Sequence, residues 1–138
     1  MLKPPAGTYY IVNKTLSSRG EKLAITYAGE GHFAIVTPLT HSTTQQWIIA
    51  DFYDGRTQSV TPVNARRLQA GWGSSGVIIL PAGDYVWTIR GNGSRYTIQD
   101  GGVTAFWGLE RPVNNSQIAI GGGIRDEGKH WVLAECVM

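Results

Sequence analysis

The hydrophobic positions along the chain come in short runs separated by turn residues, and the runs recur with a period of about 40 residues. One set of three segments aligns without gaps: KLAITY at 22–27, RLQAGW at 67–72 and GVTAFW at 102–107. A second set is QQWII at 45–49, YVWTI at 85–89 and KHWVL at 129–133. The recurrence predicts three copies of one structural unit.

Each unit holds four short apolar runs, and no segment has the i, i+3, i+4, i+7 spacing of an amphipathic helix. Propellers built on a similar period need about four blades or more, so three units are too few for that architecture. The pattern predicts an all-β fold of twelve strands, a β-trefoil with pseudo-threefold symmetry. Residues 1–138 form one domain in this prediction, with repeats at approximately 7–52, 53–91 and 92–138.

The repeats also predict the core. An aliphatic residue stands second in each segment of the first set, and these residues should occupy equivalent core positions: Leu23, Leu68 and Val103. In the second set each tryptophan shares a strand face with the aliphatic residue two places later. Trp47 and Trp131 should therefore point inward. The pattern leaves Trp87 open between core and surface, because Tyr85 and a Gly-Asp turn precede it.

Composition narrows the functional classes. The chain has 42% hydrophobic and 16% charged residues, a net charge of +2 and a single basic pair, Arg66-Arg67. A nucleic-acid partner is not expected from so few clustered cations, and no apolar run is long enough for membrane insertion. The lone Cys136 excludes an intramolecular disulfide, and the N-terminus has no apolar signal core. We therefore expect a cytoplasmic protein.

Catalytic and metal motifs are weak. GWGSSG at 71–76 matches the dinucleotide fingerprint in letters, but a strand pattern follows it where a helix is required. The histidines lie apart, without a second ligand at metal spacing: His32, His41 and His130. We expect no enzyme activity, no cofactor and no bound metal. Asp54 and Asp100 each precede a glycine and are predicted to be turn residues, with that glycine at positive φ.

The stretch at 71–87, GWGSSGVIILPAGDYVW, holds two tryptophans, four glycines, a tyrosine and one carboxylate. Flat aromatic rings pack on the C–H face of a sugar, and glycine lets the backbone approach the hydroxyl groups. The same aromatic residues would also suit the core of a small β-protein. Asp84 is either a turn residue or an acceptor for sugar hydroxyls. At this point both interpretations stay open.

Several segments together resemble the ricin-B-type β-trefoil lectins of mushroom fruiting bodies: LSSRGEKLAITY, QQWII, GWG, VIILPAGDYVWTI and YTIQDG. The resemblance runs from about Gly7 to Trp131. It implies a lectin for fucosylated GlcNAc-containing glycans of the α1,3-fucosylated chitobiose type, carried on glycoproteins or glycolipids. It also implies a defensive role toxic to nematodes, and it is compatible with a homodimer.

By the same resemblance, one glycan site lies in the second repeat and is formed by Tyr53, Trp72, Gly73, Leu80, Asp84, Tyr85, Val86 and Trp87. A one-residue offset would replace Tyr53 by Phe52. The family has asparagine where this chain has Asp84, and the stretch after GWG is two residues shorter here. An aspartate only accepts hydrogen bonds, so the choice of glycan is affected.

The alternative function is inhibition of serine or cysteine proteases, since mushroom inhibitors share this fold. Trypsin-like enzymes require Arg or Lys at the cleavage position. Arg125 and Lys129, on the loop before the last strand, are the candidates for such an exposed inhibitory loop.

Overall fold

The structure is a computed structural model that describes residues 2–124 and 126–136. Twelve strands lie in this part of the chain: β1 Gly7–Asn13, β2 Leu23–Thr26, β3 Ile35–Pro38, β4 Gln46–Phe52, β5 Thr57–Pro62, β6 Leu68–Trp72, β7 Val77–Pro81, β8 Trp87–Gly91, β9 Tyr96–Asp100, β10 Phe106–Gly108, β11 Ala119–Gly121 and β12 Trp131–Glu135. The described residues also include two single 3-10 turns, Thr43–Gln45 and Glu127–Lys129.

Six of the strands close into an antiparallel barrel. β1 pairs with β4 and β12, β5 pairs with β4 and β8, and β9 pairs with β8 and β12. The threefold repeat is visible in the register, because a tryptophan stands at the same place in each pair: Tyr9 opposite Trp47, Gln58 opposite Trp87 and Tyr96 opposite Trp131. A closed barrel leaves no exposed sheet edge.

The other six strands form three hairpins, β2–β3, β6–β7 and β10–β11. Three backbone hydrogen bonds join the hairpins in a ring. The N–H of Ala34 donates to the Val77 carbonyl at 2.9 Å, that of Val77 to Ile118 at 3.0 Å, and that of Ile118 to Ala34 at 3.1 Å. All three residues are fully buried. This cyclic ring marks the pseudo-threefold axis, and the fold is a β-trefoil, as predicted.

The tryptophans of the second repeated set form the core. Each donates its indole N–H to a carbonyl of the hairpin in its own repeat: Trp47 to Ile25 at 2.9 Å, Trp87 to Ala70 at 2.9 Å and Trp131 to Trp107 at 3.1 Å. All three rings are buried. The core prediction for Trp47 and Trp131 is confirmed, and Trp87 is equivalent to both.

The prediction that Val103 lies in the core is wrong. Val103 is 54% exposed and has φ +58° in the turn after β9, whereas Leu23 and Leu68 are fully buried. The indole of Trp131 donates to the Trp107 carbonyl as that of Trp87 donates to the Ala70 carbonyl, so Trp107 is equivalent to Ala70. The residue equivalent to Leu68 is therefore Ala105, which lies two places after the predicted Val103. A strand alternates with period two, so a two-residue shift preserves the apolar pattern and hides the error.

The two predicted aspartate turns are present. Asp54 accepts the Arg56 N–H at 3.1 Å, and Gly55 has φ +84° as expected. Asp100 accepts the N–H groups of Thr104 at 2.6 Å and Ala105 at 2.8 Å, and the Thr104 hydroxyl at 2.9 Å. In this second turn the residue at positive φ is Val103 and not Gly101, so that part of the prediction is wrong.

The corrected register predicts opposite effects of two substitutions. Leu68→Ala should cost about 2–5 kcal/mol of unfolding free energy, because it leaves a cavity in the core. Val103→Gly should stay within about 1 kcal/mol of wild type, on the stabilising side, because glycine relieves a β-branched residue of a strained φ. Urea denaturation of both variants checks this. A large loss of unfolding free energy in Val103→Gly would instead support the alignment of Val103 with Leu23 and Leu68.

Asp100 predicts a pH-dependent contribution to stability. Partial burial pushes the pKa of this carboxyl up, but the hydrogen bonds from Ala105 and Thr104 outweigh it and hold the pKa below its usual value. The stabilisation is therefore present above the unfolded-state pKa, about 3.9, and is lost as the pH falls through the folded value. The stability difference between wild type and Asp100→Asn should shrink below about pH 4. Thermal melts from pH 7 to pH 2.5 measure it, and a constant difference would contradict the assignment.

Candidate functional site

The β6–β7 hairpin of the second repeat carries the centre of the predicted site. Side chains alternate between its two faces. One face belongs to the core through Leu68, Ala70, Val77 and Ile79, all of which are buried. The other face begins at Gln69, opposite the half-buried Leu80. The predicted residues therefore divide between two faces.

On the outer face, Tyr85 and Leu80 lie against the backbone of Gly71. A Cβ atom at Gly71 would stand 3.1 Å from Cδ1 of Tyr85 and 3.2 Å from Cδ1 of Leu80. A side chain at this position would therefore push both groups away. The loop that carries Tyr85 is fastened to the hairpin, because the Gly83 N–H donates to Oε1 of Gln69 at 3.1 Å.

Trp72 lies at the end of β6, on the opposite face from Gly71, and 46% of it is exposed. Its ring centroid stands 6.4 Å from that of Trp87, with the planes inclined by 34°. The structure corrects the prediction for Trp87, whose ring is only 2% exposed and is fixed by its hydrogen bond to Ala70. Trp87 supports Trp72 from the core side and offers no ring surface to a ligand.

The remaining predicted residues are Asp84, Tyr53 and Val86. Asp84 is exposed, and its carboxylate accepts no hydrogen bond from another described residue. Tyr53 is 91% exposed with φ +53°, and its ring meets the half-buried Phe52 ring edge-on at 4.3 Å. Val86 lies against Gly101, where a Cβ would stand 3.4 Å from Cγ2 of Val86 and 3.9 Å from Cγ2 of Thr57.

Two residues at the site, Gly71 and Phe33, are absent from the sequence-based prediction. Phe33 belongs to the first repeat, but its ring covers the hairpin turn of the second. A Cβ at Gly73 would lie 3.0 Å from Phe33 Cε1, and the Gly73 N–H donates to the Gly76 carbonyl at 2.8 Å. This contact joins residues 40 positions apart, so no local signal marks it. Gly71 could have been predicted from the sequence, because strand alternation places it on the same face of the hairpin as Leu80.

The structure does not favour the inhibitor hypothesis at Lys129. This residue lies in a 3-10 turn, its ammonium stands 4.3 Å from the Phe106 ring centroid, and 24% of its side chain is exposed. An inhibitory residue would have to stand in an open, extended segment. Arg125 lies outside the described residues.

Other chemistry has little support in the described part of the chain. No group of three or more His, Cys, Asp or Glu side chains is arranged there to hold a metal ion. Burial raises the pKa of the Cys136 thiol, which lowers its thiolate fraction. None of the helical segments described is long and apolar enough to cross a membrane.

The profile of the CCL2 lectin-like family matches residues 7–131. The chain therefore belongs to the CCL2 lectin-like family and is a carbohydrate-binding lectin. No curated protein sequence matches it.

Solved structures agree on the fold. The Rhizoctonia solani agglutinin is 17% identical, with 99% of both chains covered and a TM-score of 0.76. The Macrolepiota procera ricin B-like lectin, solved with lactose, is 15% identical, with 99% of this chain and all of the other covered and a TM-score of 0.71. A mosquitocidal holotoxin is 12% identical with a TM-score of 0.83, and the match covers 97% of this chain but 18% of the toxin. At these identities the likeness concerns the fold alone.

The different burial of two neighbouring rings predicts different costs of removing them. Trp87→Ala should destabilise the protein by about 3–5 kcal/mol, as truncation of a core aromatic does. Trp72→Ala should cost clearly less, since its ring is half exposed and makes no side-chain hydrogen bond with a described residue. Chemical denaturation measures the unfolding free energy of the two variants. Equal losses in both would indicate that Trp72 is a core residue.

Proposed function

We propose that this lectin binds fucosylated GlcNAc-containing glycans, of the α1,3-fucosylated chitobiose type, through the second repeat. One observation carries the proposal: the β6–β7 hairpin ends in the half-exposed Trp72 ring, which is backed by buried Trp87, and the other face of the same hairpin carries Tyr85 and Leu80 against Gly71. The equivalents of Trp72 in the other repeats are Tyr27, which is half-buried against the core, and Leu109, which is 3% exposed.

The chemistry of these groups suits such a glycan. The face of Trp72 offers a flat apolar surface to the C–H groups of a pyranose ring. Leu80 and Val86 are half-buried aliphatic groups, which suit the methyl of fucose or of an N-acetyl group. The glycine at position 71 keeps Leu80 and Tyr85 close to the backbone, so that the surface stays shallow.

Asp84 is the acidic residue of the proposed site. Its carboxylate has no hydrogen-bonding partner among the described residues and can accept from two sugar hydroxyls, with charge-assisted hydrogen bonds that are stronger than neutral ones. Because a carboxylate has no donor, it favours hydroxyl groups over carbonyl groups of the glycan. Tyr53 completes the rim in this proposal.

A single shallow site binds weakly, so strong attachment to a glycosylated surface needs several sites in one particle. We therefore include a homodimer in the proposal, and with it a defensive role that works by cross-linking glycoproteins or glycolipids of a consumer such as a nematode. A cytoplasmic store of the protein is compatible with that role.

Removing the ring of Trp72 or of Tyr85 should weaken binding. Trp72→Ala and Tyr85→Ala should each lower the affinity for α1,3-fucosylated chitobiose by about tenfold or more, which corresponds to a loss of at least about 1.4 kcal/mol. Isothermal titration of the purified variants with this trisaccharide measures the change, and a thermal melt of each shows that it is folded.

Leu16→Ala is the matched control, because Leu16 is an apolar residue of similar exposure, 48%, in the first repeat. Its affinity should equal that of wild type. Folded Trp72→Ala and Tyr85→Ala proteins that bind with unchanged affinity would move the site to another repeat.

A further inference from the structure

A cleft lies where the second repeat meets the third. It has a volume of about 520 Å³ and is lined by Ser75, Glu110, Arg111, Ser116, Gln117 and Ala119. This size falls within the range of small-molecule sites, about 300–1,000 Å³. None of these residues belongs to the glycan site proposed above.

Backbone hydrogen bonds hold the walls of the cleft in place. The Ile120 N–H donates to the Ser75 carbonyl at 3.3 Å, and Gly76 forms a β-bridge with Ala119. On the other wall, the Ser116 carbonyl accepts the Val36 N–H at 2.9 Å. The cleft is therefore formed before any ligand arrives.

The pseudo-threefold symmetry explains why a cleft opens at this junction. Phe33, Gly76 and Gln117 are equivalent, since each precedes one member of the axial ring of hydrogen bonds. At the junction of the first and second repeats, Phe33 fills the space by packing on Gly73 and Gly76. At the next junction the equivalent residue is Gly76, which brings no side chain. A Cβ there would lie 2.7 Å from the Ile118 carbonyl oxygen, so the backbone itself keeps this position empty.

The lining has the chemistry of a site for hydroxyl groups. The lining residues include two serines, a glutamine, a glutamate and an arginine, and none of their side chains makes a hydrogen bond or ion pair with another described residue. Glu110 and Arg111 carry opposite charges, which disfavours a strongly charged ligand. The lining contains no aromatic ring and only one small apolar residue. Such a surface suits hexoses better than fucose or N-acetyl methyl groups.

The cleft is continuous in sequence with the proposed glycan site. Ser75 lies three residues after Trp72 in the turn of the same hairpin, and three residues span at most about 10 Å. We propose that the cleft is an extended subsite that binds neutral hexose residues attached to the fucosylated chitobiose held at Trp72 and Tyr85. This inference rests on the proposed function and names the part of the glycan that the first site does not contact.

Two ligands and one double variant test the proposal. Wild type should bind α1,3-fucosylated chitobiose extended by core mannose residues about five- to tenfold more tightly than the unextended trisaccharide, a gain of about 1–1.4 kcal/mol. Arg111→Ala/Gln117→Ala should lose this advantage and keep its affinity for the trisaccharide within about twofold, because it leaves the Trp72 region unchanged. Arg66→Ala, an exposed arginine outside the cleft, is the control and should keep the advantage. Isothermal titration gives the affinities, and thermal melts confirm the folds.

The outcomes separate the two proposals. Equal affinity of wild type for the two ligands, or an undiminished advantage in the folded double variant, overturns the extended subsite alone. A wild-type protein that binds neither ligand overturns the glycan site in the second repeat, and the subsite with it. A loss of trisaccharide affinity in the double variant would also count against a separate subsite, because the cleft residues would then belong to the first site.

Discussion

The ring of hydrogen bonds among Ala34, Val77 and Ile118 is the constraint on which the structure depends. Each of these residues is fully buried, so an unmade backbone hydrogen bond here would cost about 1–3 kcal/mol. One donor and one acceptor from each repeat satisfy the ring only if all three hairpins reach the axis in the same register. Backbone hydrogen bonding therefore requires the three hairpins to be symmetric. It places no such requirement on the side chains, which differ between the repeats.

Function arises where equivalent positions carry different side chains. Tyr27, Trp72 and Leu109 occupy one such position, and among these three residues Trp72 of the second repeat is the half-exposed aromatic ring. Phe33, Gly76 and Gln117 occupy another, where the phenylalanine closes one junction and the glycine leaves the next one open. The backbone repeats three times, but the described site and cleft both border the second hairpin.

The sequence was sufficient for the fold class, the number of strands and two of the core tryptophans, Trp47 and Trp131, because these follow from a period of two within strands and from a repeat along the chain. It was insufficient where tertiary contacts decide. The prediction of Val103 in the core fails because a shift of two residues leaves the apolar alternation intact, and the hydrogen bond from Trp131 to Trp107 reveals that shift. Most of the candidate site lies in one stretch and was predictable. The role of Phe33 was not, since it crosses from one repeat to another.

Trp87 connects the core to the candidate site. The centroid of its ring lies 6.4 Å from that of Trp72 on one side. On the other side it lies 4.8 Å from the centroid of Trp107, which it meets edge-on. Both partners stand before a glycine in the sequence, yet Trp107 is buried and Trp72 is half exposed, because they occupy positions two residues apart in their hairpins. The half-exposed Trp72 ring is thus backed by two buried rings of the core. A ring already held in place loses little conformational entropy when a sugar packs on it, which matters most for a shallow site with few contacts to offer.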